Sequence, residues 1–464
     1  MSHNENTNKI PVREKVAFSL VNMGNIPIMS LIGGFLLIYY TDVAGINPAA
    51  VATLFIIARL LDGINDPIMG FIIDHLPKTK MGRFRPYLIM GVILCTINYL
   101  LLWFGPVLFP QIKLVIVYIS YLLIGLTFDL MDIPLNSMIP VMSDNEKERA
   151  SLSTIKGVSY IVGSLIIGIA GPMILASSGS SLSGYIILVG GSSAVVLIFS
   201  IIGAFGIKER IQPIAEEKYK LKDFIPMLME KPVLITFVAA LFIGVATSIN
   251  SSSGIFFATY VLDNKLEVMS MISVITLLGL FIGIFISNKL IGRLGKKAIY
   301  AGGVILVGAF ALIRLFDVTN IPLLYLSTLL AGISTGGTVT LNYGIQADNV
   351  DYIEYKRGIR AEGALASLNS FVVKAGSGFG GAIPGYVLAA TGYVAKQQQT
   401  STAVMGIIAI AIIIPAIIYI VGGAIFFSGY SINKQKLSEI MSTLRDQRDR
   451  KTKNTESDKL ENAI

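Results

Sequence analysis

Residues 59–74 read RLLDGINDPIMGFIID, placing Arg59, Asp62, Asp66 and Asp74 in a run that is otherwise apolar. The eleven residues before it, PAAVATLFIIA, carry no charge at all. About 20 apolar residues let a helix cross the hydrocarbon core of a bilayer, and such runs recur from end to end of this chain. Its 464 residues are 53% hydrophobic and 14% charged, with a mean hydropathy of +0.70. A soluble domain carries about 25% charged residues. The stretch therefore reads as charge carried inside a spanning helix, and the fold class as an all-α polytopic membrane protein. An ionisable side chain at mid-bilayer costs several kcal/mol, so by default it faces the bundle interior and marks a functional site.

Twelve apolar segments are expected, at 16–40, 48–73, 86–106, 113–141, 151–177, 184–206, 232–262, 268–288, 298–316, 321–346, 363–392 and 402–428. They divide into an N-terminal six-helix bundle (1–206), a charged central loop (207–231), a C-terminal six-helix bundle (232–428) and a polar tail (429–464). A peripheral helix near 434–445 is compatible with the pattern of the tail. The first fourteen residues, MSHNENTNKIPVRE, are polar, and no A-x-A-like cleavage site follows, so the first segment is expected to stay in the membrane. Of 37 Lys and Arg residues, only Lys113, Lys265, Lys396 and Arg314 fall in or beside odd-numbered loops. Arg59 and Lys374 lie inside segments, and the rest collect on the other side. By the positive-inside bias, both termini are expected in the cytoplasm, in a multi-pass protein of the cell membrane. The formal charge of +8 is thus a topology signal, and no nucleic-acid partner is expected. The single cysteine, Cys95, excludes an internal disulfide and a Cys-based metal site, and two histidines are too few for a His cluster.

The loop after segment two, GFIIDHLPKTKMGRFRP, and the loop after segment eight, NKLIGRLGKKA, both set basic residues around a glycine at corresponding places in the two halves. Parallel six-helix repeats with the solute path between them describe one transporter architecture; the plainer reading is that any cytoplasmic loop collects Lys and Arg. Asp74 faces the basic loop of Lys78, Lys80, Arg83 and Arg85, a gate or a topology determinant. The stretch 347–363, ADNVDYIEYKRGIRAEG, is equally dense in charge, and ion pairs there are expected to open and close; the alternative is a solvated loop.

Arg59, Asp62 and Asp66 are spaced i, i+3, i+7 and share one helix face, with Asn65 about one position off it. In segment four, FDLMDIP sets Asp129 and Asp132 three apart. Segment five opens with Lys156, and segment eleven carries Lys374. Carboxylates converging from two helices suit a hard cation, which prefers oxygen ligands. Two held close repel and raise the pKa of one, so a proton serves as well. Arg59 and the two lysines would balance the remaining charge. The alternative for Arg59 and Asp62 is a structural ion pair.

DGINDPIMG in segment two, MDIP in segment four, DNVDYIEYKRGIRAEG before segment eleven and VVKAGS within it resemble the glycoside–pentoside–hexuronide:cation symporters, the melibiose permease-like group of the major facilitator superfamily. The resemblance runs from about residue 11 to 430. It implies a twelve-helix major-facilitator fold coupling sugar entry to Na+ or H+ entry by alternating access. It further implies a cation site at Asp62, Asn65 and Asp66 (the metal ligands Asp62 and Asp66 if the ion is Na+), a sugar contact at Asp132, and Lys374 near the cation. Where the pattern has a sugar-binding aspartate in segment one, this chain reads NMGNIPIM, with Ile26 at that place and Asn25 beside it. Asp129 replaces a cation-binding threonine, Asn136 replaces a stacking aromatic, and Lys156 is the nearest match to a basic sugar contact. Galactoside specificity is thereby weakened, and a xyloside, glucoside or other glycoside recognised by Asn25, Asp132, Asn136, Lys156 and Asn369 fits at least as well. No cofactor is expected beyond the coupling ion, and the loops remain open to a cytosolic regulator.

Two other classes compete. A membrane-embedded metal-dependent enzyme would need a nucleophile or phosphate-binding constellation, and the sequence has none. A facilitator carrying a non-sugar solute or a lipid would keep the fold and change the cargo. The lack of a P-loop pattern also argues against an ATP-driven pump.

Overall fold

The computed structural model describes residues 9–75, 77, 79, 81–143, 145–178, 181–210, 226, 227, 229–358 and 362–444; some side chains between 60 and 75, at 146 and between 362 and 370 lie outside the description. The described chain is almost wholly helical. Helix α1 (Val12–Ile38) runs into a wide π-helical turn (Tyr39–Val43) and is followed by α2 (Pro48–His75), α3 (Arg85–Leu108), α4 (Lys113–Asn136) and the short α5 (Met138–Met142). Then come α6 (Glu146–Ser177), α7 (Leu182–Gly206), α8 (Lys231–Tyr260), α9 (Glu267–Leu312), α10 (Ile321–Arg357) and α11 (Glu362–Ala390). Helix α12 (Ser401–Ile408) passes through a second π-helical turn (Ala409–Ile413) into α13 (Ile414–Gly429), and α14 covers 434–444. Among the described residues, nine helical stretches are long and apolar enough to cross a membrane.

The residues at the helix ends explain where they begin and stop. Asn145, Asn320 and Thr400 accept backbone N–H bonds at the starts of α6, α10 and α12, which satisfies donors that a helix cannot pair internally. The expected segments eight and nine form one run, α9, broken at Gly295, whose φ of 77° and ψ of 160° are not helical. The expected end of segment ten at 346 is too early, because α10 continues to Arg357. The added residues, ADNVDYIEYKR, contain no glycine or proline, and Asp348, Lys356 and Arg357 among them are held in ion pairs with Lys296 and Glu230. Lys356 and Arg357 suit the negative end of the helix dipole, and Gly358 closes it in a left-handed conformation, φ 69°.

Packing divides the chain into two units. The first gathers Met1–Glu216, Ser248–Val274 and Gly378–Ala411. In it, α1 lies on α7 so closely that a methyl added at Gly203 would come 2.5 Å from the Ala17 carbonyl oxygen. Such small-residue contacts are how apolar helices approach in a bilayer. At the far end of α1, Tyr39, Trp103 and Tyr185 form a buried aromatic cluster with centroid separations of 4.7 to 5.8 Å. The turn before α3 is fixed by Glu209, whose carboxylate accepts the backbone N–H groups of Arg83, Phe84 and Arg85 at 2.7, 2.8 and 3.0 Å. The side chains of Asp74, Lys78 and Lys80, which the sequence reading sets in this gate, lie outside the described residues.

The second unit gathers Glu217–Thr247, Ile275–Ser377 and Ile412–Ile464. Its core holds Tyr300, Phe426 and Tyr430, with Phe426 4.6 Å from each of the other two rings. Helix α14 adds to this core through the buried Ile440 and Leu444 and is therefore docked. Residues 211–225 of the central loop and 445–464 of the tail lie outside the described residues.

Candidate functional site

The spacing read from segment two is realised as a ladder between α2 and α4. Arg59 Nη1 donates to Asp62 Oδ2 at 3.1 Å, making the i, i+3 ion pair. Asp62 lies against α4 where that helix has no side chain: a methyl added at Gly125 would come 2.6 Å from Asp62 Oδ1. One turn further along both helices, Asn65 Nδ2 donates to Asp129 Oδ2 at 3.1 Å. Asp129 is 7% exposed, whereas the Arg59 and Asp62 side chains are 28% and 24% exposed. A methyl added at Gly378 of α11 would overlap Arg59 Cγ, so that glycine makes room for the arginine stem. One turn before Gly125, Tyr121 packs on Phe55 of α2, ring centroids 5.1 Å apart. The fully buried Cys95 of α3 neighbours Thr127 and Asp129.

Of the predicted cation ligands, Asp62, Asn65 and Asp129 are thus brought together, with Arg59 beside them. Asp66 belongs to α2, but its side chain is outside the described residues. Among the described residues no group of three His, Cys, Asp or Glu side chains gathers closely enough to hold a metal; here one carboxylate meets an amide, and a second carboxylate lies about a turn away on α2. Gly125, Gly378, Tyr121 and Phe55 were not singled out from sequence. A glycine four residues before Asp129 is the one faint signal that could have pointed to Gly125.

The predicted sugar residues of α4 and α6 form a second chain of contacts. Asn136 Nδ2 donates to Asp132 Oδ2 at 2.7 Å, and Lys156 Nζ hydrogen-bonds Asn136 Oδ1. Asp132 follows Asp129 by three residues, so this cluster begins within one turn of the first. Asn25 of α1 is 6% exposed, and neither of its amide atoms has a hydrogen-bond partner among the described residues. Burying a polar group without a partner costs roughly 1–3 kcal/mol, so the position is primed for one. Ile26 beside it packs on α6, where a methyl added at Gly163 would come 2.5 Å from Ile26 Cδ1. Asn369 and Lys374, both half-buried, belong to α11 in the second unit.

The charge-dense end of α10 also carries ion pairs. Lys296 Nζ donates to both Asp348 oxygens at 2.7 and 2.9 Å. Glu230, ahead of α8, accepts from Lys356 Nζ at 2.5 Å and from Arg357 Nη2 at 2.7 Å. Burial alone would raise the Glu230 pKa; hydrogen bonds from Lys356 and Arg357 outweigh it and hold the carboxyl below its ordinary range.

Comparison with known proteins extends these findings. The family profile described as MFS/sugar transport protein matches residues 17–434. The chain is 31% identical to the isoprimeverose transporter of Lactiplantibacillus pentosus over 410 residues, 86% of this chain and 85% of that one. It is 30% identical to an uncharacterized symporter of Bacillus subtilis (strain 168), over 95% of this chain and 96% of that protein. Against the glucuronide carrier protein homolog of Escherichia coli (strain K12) identity is 28%, covering 92% and 94%. Among solved structures, the nucleoside transporter NupG superposes with a TM-score of 0.63 at 14% identity, covering 90% of this chain and all of that one. A bacterial homolog of the human lysosomal transporter Spinster gives a TM-score of 0.63 at 14% identity, covering 90% and 95%. These likenesses carry the major-facilitator fold. A profile match that begins inside α1 and ends beyond α13 takes in both carboxylate-bearing helices and every other spanning one, and the chain belongs to the MFS/sugar transport protein family.

Proposed function

We propose that the chain carries a glycoside or oligosaccharide into the cell together with Na+ or H+, binding the cation at Asp62, Asn65, Asp66 and Asp129 and the sugar beside Asp132. Membership of the family makes it a secondary active sugar transporter and not an enzyme. The cation site and the coupling are our reading, and the packing of Asp62 against Gly125 of α4, one turn from the hydrogen bond of Asn65 to Asp129, carries it. With Arg59, the two carboxylates leave one net negative charge, which a monovalent cation cancels. A neutral loaded site costs less to keep away from water than a charged one, which favours the switch when the cation is aboard.

The second cluster supports an uncharged or weakly charged glycoside, because Asp132 and Lys156 already balance through Asn136. Relatives named for isoprimeverose and for a glucuronide support the glycoside class. Asn25, whose amide atoms have no partner among the described residues, offers a donor and an acceptor to sugar hydroxyls. Coupling arises if the carrier with one site filled switches poorly, since a ligand shifts an equilibrium only by its differential affinity for the two states. We assign the protein to the cell membrane with both termini in the cytoplasm, a reading supported by the distribution of Lys and Arg along the chain.

The test uses proteoliposomes holding an internal pH dye and a parallel sodium readout. Melibiose, xylosides, glucosides and glucuronides are added one at a time. A sugar-triggered influx names the coupling ion; silence with every sugar, from folded protein, would overturn the glycoside reading and favour a non-sugar solute or a lipid.

A further inference from the structure

We infer that Asp42, Tyr260 and Tyr393 form a latch joining α1, α8 and the segment after α11 on the face opposite the start of α1, and that it must part for that face to open; the inference rests on the transport reading above. The Asp42 carboxylate sits in the π-helical turn that ends the first crossing. Its Oδ1 accepts from Tyr393 OH at 2.5 Å and from Thr41 Oγ1 at 2.6 Å, and its Oδ2 accepts from Tyr260 OH. The two phenol oxygens lie 3.0 Å apart, their rings meet edge to face at 5.3 Å, and the Lys396 backbone N–H donates to Tyr260 OH at 3.1 Å. Tyr260 and Tyr393 lie 218 and 351 residues from Asp42 in sequence, so the contact is tertiary.

The placement of these residues makes the contact more than a local brace. Ser248–Val274 and Gly378–Ala411 belong to the first packing unit, but the earlier part of α8 and the part of α11 before Gly378 belong to the second. Each helix changes allegiance at a run of small residues, TSINSSSG at 247–254 and GSGFGG at 376–381. Such runs let a helix bend or slide. Polar contacts that these pieces make with the rest of the first unit include neutral ones: Thr53 Oγ1 with Tyr386 OH at 2.9 Å, Ser270 Oγ to the Ile169 carbonyl at 2.9 Å and Ser273 Oγ to the Gly168 carbonyl at 3.1 Å. A carboxylate gripping phenol hydroxyls is stronger than these because one partner is ionised. It is also directional, and water solvates both sides once they separate. A strong, short-range and reversible contact at a helix end suits a latch, whereas a permanent junction would be built from apolar groups.

The test is a distance measurement that needs no sugar. Spin labels are attached at Gln111→Cys and Gln397→Cys, two exposed positions, with the fully buried Cys95 left in place. The full chain is reconstituted in lipid, and Tyr260→Phe with Tyr393→Phe removes both donors and keeps the ring packing. The expected result is a shift of roughly tenfold from the short-distance toward the long-distance population, with Asp42→Asn moving it the same way. Unchanged distances in both variants would overturn the latch, including the case of a mere structural pin that lowers thermal stability alone. Sugar uptake is read on the same vesicles: a shift without any uptake would keep the latch and remove the transport reading, and normal uptake with unmoved distances would do the reverse.

Discussion

At the scale of single residues, Gly125 decides how near Asp62 comes to α4. A methyl there would meet the carboxylate at 2.6 Å; a valine would push Asp62 off the helix and away from Asn65 and Asp129. Gly125→Val is expected to lower cation-driven uptake at least about tenfold, equivalent to roughly 1.4 kcal/mol, while downhill sugar exchange persists; counterflow against concentrative uptake separates the two. Asp62→Cys and Asp66→Cys are expected to lose concentrative uptake while still reaching the membrane. Normal accumulation in either would remove that residue from the cation site. Asp132→Asn is expected to abolish sugar binding, read by equilibrium dialysis, and wild-type affinity would exclude it. The carboxylates were legible in the sequence because a charge in an apolar run has few explanations. Gly125 and Gly378 were not, since glycine is frequent in membrane helices and only the neighbouring helix shows which glycine faces a carboxylate. Tyr121 and Phe55 gave no signal for the same reason.

At the scale of elements, α3 and α7 exchange partners at their ends. Glu209, beyond the end of α7, caps the start of α3, while Arg85, at the start of α3, donates from Nε to the Ala204 carbonyl at 2.9 Å and from Nη2 to the Phe205 carbonyl at 3.0 Å. Each charge meets the helix end of opposite sign. The arrangement depends on Gly82, whose φ is 112° and where a methyl would come 2.5 Å from Glu209 Oε1. Gly82→Ala is expected to cost about 1–3 kcal/mol from backbone strain, seen as a lower melting temperature in detergent, and Gly292→Ala, which has open space around it, to change little. Sequence reading found this glycine through the basic residues around it; of the two glycines in the corresponding loop after segment eight, Gly295 has a positive φ, 77°. It could not find Glu209, because a capping acid more than a hundred residues away leaves no local mark. The Glu230 bridge carries a pH prediction. A glutamate ordinarily titrates near pH 4.3; with its folded pKa held lower by Lys356 and Arg357, the bridge contributes stability above that pH and loses it as the pH falls through the lowered value. Melting curves of wild type and Glu230→Gln are therefore expected to converge once the pH has fallen through that lowered value, and a constant gap would exclude the bridge.

At the scale of the whole molecule, the class was legible from composition and the helix positions from hydropathy, with errors where a helix ran on through charge, as α10 does, or bent without leaving a loop, as α9 does at Gly295. The two packing units were not legible: the sequence divides at a charged loop, whereas packing assigns parts of α8, α9, α11 and the α12–α13 run to each unit. Amides in 248–254 and 376–381 are accordingly expected to exchange hydrogen faster than those elsewhere in α8 and α11, and the difference to shrink when sugar and cation are saturating. Uniform exchange along both helices would argue against bending there. The π-helical turn at Ala409–Ile413 bears on a different kind of change. Losing one residue from an ordinary helix rotates everything beyond it by about 100°, which sets the far half on the wrong side of its neighbours. A π-helical turn already holds one surplus residue, and here it is written in near-interchangeable letters, AIAII. Dropping one would return the rod to regular winding, so this is a place in the bundle where the length of the chain is free to drift over generations by a single codon.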